Sequence, residues 1–291
     1  MKRGNRNPIY IRAAIIILLA MFALYILLPA GFGLAATLPA KKTVGPPPQG
    51  FQPVSFETAD GVTLAGWYSP PTNGAAILLL HGAGGSRENT LPYAEMLRRH
   101  GYGVLAVDQR GHGESGGKTN QLGWQGTQDV GAALQFLESR PEVRRIGGLG
   151  ISMGGEALLG AASAYPQITA IAADGATRRS MAELLALPSE RPLVRNFTTR
   201  VMYSTVQLLS GEQPPTPLLE SMQSAPGTRF LLIAAGGDEL EKAFNELFAQ
   251  TLGERAVLWV ATGAQHARVF SQYPQEYEQR LVQFFSENLQ P

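Results

Sequence analysis

RRIGGLGISMGGEALLGAASAY, residues 144–165, is the stretch from which the rest of the chain can be ordered. After two arginines, Ile146 to Gly150 are apolar or glycine, the composition of a buried strand. Gly150-Ile151-Ser152-Met153-Gly154 follows, and the alanine- and leucine-rich run behind it has helical character. A strand, a tight turn carrying a serine and a helix form a nucleophile elbow, whose small flanking residues let the hydroxyl stand clear at the sheet edge. The same G-x-S-x-G spacing recurs at Gly113-Glu114-Ser115-Gly116-Gly117, but GGKTNQLG after Ser115 cannot continue as a helix. Ser152 is therefore the nucleophile candidate. The N–H of Met153 opens the following helix and points to where an oxyanion would form, with the helix dipole adding to it.

On either side of this stretch, short apolar runs alternate with helix-length segments. Strands are expected at 53–58, 62–69, 75–82, 102–108, 168–174, 229–235 and 255–261, with Asp60-Gly61 turning the first hairpin. Helices are expected at 89–100, 126–139, 153–165, 239–252 and 274–288. Strands apolar on both faces and separated by helices predict an α/β fold with a mostly parallel sheet covered on both sides. Residues 177–226 interrupt the rhythm with about fifty residues where one crossover helix would do. They predict a cap of two or three helices over the carboxyl edge of the sheet.

A serine nucleophile needs a base, and the chain has four histidines. His81 lies in the glycine-rich loop His81-Gly82-Ala83-Gly84-Gly85 and is expected to bond within its turn. His100 ends a helix, and His112 lies in the loop Asp108-Gln109-Arg110-Gly111-His112-Gly113. His266 follows the strand RAVLWVA and the short loop TGAQH, at the same sheet edge as Ser152, and is the best base. The 81–85 loop supplies a second oxyanion donor, the N–H of Ala83 first and that of Gly84 next. The orienting acid is sought at a strand end between serine and histidine. FLLIAAGGDE (230–239) offers Asp238 first and Glu239 second, and Asp174 ends the preceding strand.

Composition narrows the alternatives. The chain has 291 residues, of which 44% are hydrophobic, enough for one large domain with a core. The absence of cysteine removes disulfides, thiolate metal sites and cysteine nucleophiles. Neither an HExxH motif, nor a Walker loop, nor a dinucleotide fingerprint occurs, so no cofactor or metal is expected. The net charge of +1 hides a boundary: residues 1–40 carry Lys2, Arg3, Arg6 and Arg12 with no acid, which leaves −3 on the remainder. No nucleic-acid-binding stripe follows from that balance. Ala13 to Leu28 (AAIIILLAMFALYILL) is uncharged, and 13–34 is long enough to cross a bilayer. The small-residue pattern of a cleavage site is poor, with Leu34 or Leu38 where a small residue is preferred. Residues 1–38 are thus expected to be a short cytoplasmic tail and a retained anchor, with 39–52 a stiff linker and the domain 53–291 outside the membrane.

Taken together, HGAGG at 81–85, DQRGHGES at 108–115, GISMGG at 150–155, GGDE at 236–239 and the glutamine–histidine pair at 265–266 resemble the α/β-hydrolase superfamily. The resemblance covers roughly 50–288. Within the superfamily the chain looks most like membrane-anchored bacterial members related to serine-aminopeptidase-like and Bem46-like hydrolases. It implies a Ser152–Asp238–His266 triad and acyl transfer to water. Relatives carry small, apolar or proline residues after the acid, whereas Glu239-Leu240-Glu241 follow here, so Asp238 and Glu239 both stay open.

The expected activity is hydrolysis of a carboxylic ester or thioester. Leu184, Leu185, Leu187, Met202 and Tyr203 in the 177–226 insertion lean towards a lipid-like acyl substrate. An aminopeptidase is the rival enzyme and would need acids such as Glu183 and Glu190 to hold a free amine. A non-catalytic lipid- or partner-binding module is the rival outside enzymology.

Overall fold

In the computed structural model, residues 8–118, 122–188 and 192–289 are described. Strand formation follows the apolar runs. Ala75–Leu80 (β3) is buried along its whole length, and Ala76, Leu78 and Leu80 face one layer of core while Ala75, Ile77 and Leu79 face the other. The two-residue period of a strand divides this run between two helical layers. Each of its four large side chains contributes about 2 kcal/mol by leaving water.

The sheet has eight strands: Gln52–Glu57 (β1), Thr63–Ser69 (β2), β3, Gly103–Val107 (β4), Arg145–Ile151 (β5), Ile168–Asp174 (β6), Arg229–Ala235 (β7) and Ala256–Ala261 (β8). Their spatial order is β8-β7-β6-β5-β3-β4-β2-β1. Only β2 runs antiparallel to its neighbours β1 and β4; the other pairings are parallel. This is the doubly wound arrangement expected of the apolar runs.

Helices Leu91–Arg99 (α1) and Pro274–Asn288 (α8) cover one face, through Tyr93, Met96, Tyr277 and Phe285. Gly126–Glu138 (α2), Met153–Ala161 (α3) and Glu239–Leu252 (α7) cover the other, through Leu134, Leu158 and Phe244. Between β6 and β7 stand the three cap helices Met181–Ala186 (α4), Pro192–Ser210 (α5) and Leu218–Gln223 (α6).

Two buried carboxylates tie the base of this cap. Glu156 accepts from the backbone N–H groups of Thr177 and Arg178 and from the Thr177 hydroxyl. Glu183 accepts from Arg179 N, the Ser180 hydroxyl and Leu218 N.

Before the sheet runs a continuous helix, Pro8–Phe22, a π-helical turn at Ala23–Leu27, and Leu28–Ala36. The wider turn lies where Pro29 would otherwise clash with the carbonyl four residues back. Ile9–Ala36 is long and apolar enough to cross a membrane.

Residues 39–52 do not stand off the domain. Ala40–Lys41 pairs as a short parallel strand with His112–Gly113. The Lys41 ammonium donates to the Ser115 carbonyl, Gly45 N–H donates to Glu88 at 2.7 Å, and Val44 and Phe51 enter the core.

Candidate active site

Ser152 sits between β5 and α3 with φ +51°, a left-handed conformation that a serine adopts only under strain. The turn is held from both sides. Ser152 N–H donates to the Asp174 carbonyl at 2.6 Å, and Ser152 O accepts from Glu156 N–H at 3.0 Å. Only glycine fits at 150, because a methyl group there would overlap the Gly154 backbone. These constraints aim the hydroxyl at His266, whose Nε2 lies 2.9 Å from Ser152 Oγ. His266 is carried by the loop after β8, which turns back through Ala267 at φ +55°.

The acid facing His266 differs from the one expected. His266 Nδ1 lies 2.6 Å from Glu241 Oε2, and the Glu241 side chain is fully buried. Glu241 Oε1 accepts the Ala235 N–H at 2.5 Å, which fixes the carboxylate at the end of β7. Asp238 instead caps α7, accepting from Leu240 N at 3.1 Å and Glu241 N at 3.0 Å.

The expectation that Asp238 pairs with His266 is therefore corrected to Glu241, one helical turn further on. Glu239 is exposed. The D-x-x-E spacing of Asp238 and Glu241 is the signal that could have found this, since it marks a helix start whose first acid is spent on backbone N–H groups. Asp238 keeps a secondary place: one of its carboxylate oxygens lies within 4.8 Å of the His266 and Glu241 ligand atoms.

Hydrogen bonding to Glu241 is the main reason His266 is held above the usual histidine range. Burial opposes it, and the charges of Glu241, Asp238 and Asp174 assist. Asp174 lies fully buried at the end of β6, pushed up to about 7 by burial and by the nearby Glu241 carboxylate. Gly175, at φ +79°, forms the wall under the imidazole; a Cβ there would come within 3.0 Å of His266 Cε1.

The 81–85 loop is built by two other histidines. Gln109 N–H donates to His81 Nε2 at 3.1 Å, so Nδ1 carries the proton and donates to the Gly82 carbonyl at 2.8 Å. In the same way Gly84 N–H donates to His112 Nε2 at 3.2 Å, and His112 Nδ1 donates to the Arg110 carbonyl at 3.0 Å. Both rings are consequently neutral, and burial pushes His81 down to about 3. Gly84 N–H is spent on His112, which leaves Ala83 as the loop's candidate donor. Gly82 packs beside Ser152; a Cβ on it would lie 3.4 Å from Ser152 Cβ. His100 lies apart, paired with Glu278.

A cavity of about 360 Å³ opens beside the elbow, lined by Lys42, the 81–85 loop, Asn89, Thr90, Tyr93, Ile151 and Ala267. No carboxylate lines it among the described residues. Of the acids considered for holding an amine, Glu183 is buried in the cap base, and Glu190 falls outside the described residues.

The model of the serine aminopeptidase S33 family matches residues 71–213. An esterase of Pyrococcus furiosus superposes with a TM-score of 0.69 at 27% identity, over 86% of this chain and 98% of that one. The chain belongs to the α/β-hydrolase superfamily. An uncharacterised protein from Mycobacterium tuberculosis is 29% identical over 214 residues, 70% of this chain and 65% of that protein. A bacterial membrane phospholipase A covers 98% of this α/β-hydrolase with a TM-score of 0.60; at 19% identity the likeness is one of fold.

Proposed function

We propose that this α/β-hydrolase cleaves carboxylic esters or thioesters through a Ser152–His266–Glu241 triad. The observation that carries the reading is the unbroken hydrogen-bonded chain from Ser152 Oγ through both nitrogens of His266 to a buried carboxylate. His266 Nε2 takes the Ser152 proton as Oγ bonds to the substrate carbonyl carbon. The tetrahedral oxyanion accepts from the N–H groups of Met153 and Ala83. His266 then returns the proton to the leaving alcohol or thiol as its bond to the acyl carbon breaks. A water molecule, deprotonated by His266, releases the acid and restores Ser152. Glu241 stays ionised throughout and holds Nδ1–H, fixing the tautomer.

An ester is favoured over an aminopeptide because the cavity lining among the described residues carries Lys42 and no carboxylate to receive an amine. The Pyrococcus neighbour is an esterase, which points the same way. Ile9–Ala36 completes the reading as a retained membrane anchor with the domain outside.

Fluorophosphonate labelling of the full chain beside Ser152→Ala tests the nucleophile. Wild type labels and Ser152→Ala does not; equal labelling of both would sink the assignment.

A further inference from the structure

We propose that the amino-terminal end of the cap helix α5 is seated in the outer leaflet of the bilayer, so that anchor and cap meet the membrane as one unit. The proposal rests on the anchor reading of Ile9–Ala36 and is independent of the triad.

The first argument is one of length. Arg12 is the last charge before the apolar run, so the hydrocarbon begins near Ala13. A bilayer core of ~30 Å takes ~20 helical residues, which ends the immersed stretch at Phe32. Yet the helix is exposed without a break only as far as Leu24, which already edges the groove shared with α5; Tyr25 is the first half-buried residue. Ala13–Leu24 rises only ~18 Å. The missing length is Tyr25–Phe32, which lies along α5.

The two helices run side by side in the same direction. Leu24, Tyr25, Leu28, Pro29 and Phe32 share an apolar groove of about 450 Å³ with Val194, Thr198, Thr199 and Met202. Gly33 meets Met202 and Thr205, where a Cβ would come within 2.8 Å of the threonine side chain. Ala36 packs with Tyr203 and Val206. Immersing Tyr25–Phe32 therefore brings the start of α5 to hydrocarbon depth.

The second argument is the surface itself. Outside the N-terminal segment through Leu38, the exposed large apolar side chains among the described residues are Leu185, Leu193, Val194, Phe197, Leu208, Leu209 and Val257. All but Val257 belong to the cap. Leu193 is 86% exposed, a costly placement in water and a favourable one in lipid. Pro192–Ser210 carries Arg195 and Arg200 and no acidic residue, a charge suited to an anionic leaflet. Leu208 lies ~22 Å further along α5 than Leu193 and reaches only the headgroups.

The absence of native cysteine allows single-site spin labelling of the full chain. Ile17→Cys, Leu193→Cys, Phe197→Cys, Leu208→Cys and Glu254→Cys would be placed in phosphatidylethanolamine–phosphatidylglycerol vesicles. Collision with oxygen and with a water-soluble nickel chelate is then compared, and thermal melts check that each variant folds. The expected oxygen-to-nickel ratio at 193 and 197 is several-fold that at 254, with 208 in between. Ratios at 193 and 197 equal to that at 254, with 17 in lipid, would overturn the docking and leave the anchor standing. An aqueous reading at 17 would overturn both. Labels at 193 and 197 shielded from both reagents would point to a second copy covering the surface, and would equally overturn it.

Discussion

Two histidine environments flank Ser152, and they are opposites. On one side His81 and His112 are buried among backbone groups, accept one N–H each, and are held neutral. On the other, His266 is partly open to solvent and faces a buried carboxylate that draws a proton towards it. The same side chain is a rigid brace in the first setting and, in the proposed mechanism, a proton carrier in the second. Partner chemistry makes the difference: a carbonyl or N–H fixes a neutral tautomer, whereas a carboxylate stabilises the imidazolium that must form.

The largest expected effect comes from removing that carboxylate. Glu241→Gln should lower kcat/KM by ~10²–10⁴-fold, the range for losing a member of such a relay. Asp238→Asn, which keeps a capping oxygen, should cost less than tenfold, on the order of 1 kcal/mol. A larger loss at Asp238 than at Glu241 would reverse the pairing described above. The pH profile sharpens the same point. His266 must be neutral to act as base, and its pKa is raised, so activity climbs only as pH passes above the usual histidine value. In Glu241→Gln the residual activity should climb at lower pH than in wild type.

A smaller effect is expected on the neutral side. His112→Ala leaves the half-buried Gly84 N–H and the buried Arg110 carbonyl without their partner, at a cost of about 1–3 kcal/mol. Urea melts should show the loss, and kcat should fall while the acid limb of the profile stays in place. A shifted limb would mean that His112 takes part in proton transfer.

The smallest effect on rate is expected at Asp174. Its folded pKa of about 7 lies far above the ordinary carboxylate value, so the folded state binds a proton that the unfolded state has released. Stability is therefore lost as pH rises from about 4 to 7. Asp174→Asn should match wild type at pH 4 and melt ~5 °C or more above it at pH 8, with kcat little changed. Equal melting temperatures at pH 8 would show that the carboxyl is not strained by burial.

The sheet and the elbow were open to sequence reading because local signals govern them. A doubly apolar run can only be a covered strand, and a glycine-flanked serine between a strand and a helix can only be a tight turn. The acid was harder, because Asp238, Glu239 and Glu241 lie within one helical turn and share charge and local context. Which of them meets His266 depends on the rotation of α7, set by contacts such as that of Asn245 with the Ala176 carbonyl, 69 residues away. The 39–52 stretch reads as a linker from its prolines, yet its Val44 and Phe51 find a core that no local pattern reveals. The side-by-side packing of Leu28–Ala36 and α5 is long-range in the same sense.

The pairing of Ala40–Lys41 with His112–Gly113 has a mechanical consequence. The connection from helix to domain ends after three residues, 37–39, and whatever follows is stitched to the loop whose His112 holds the Gly84 N–H. An enzyme on a leash sweeps a hemisphere; this one is bolted to its mast. If the helix spans a bilayer as proposed, the cavity is held at one height and one bearing above the lipid, and search for substrate becomes diffusion in a plane.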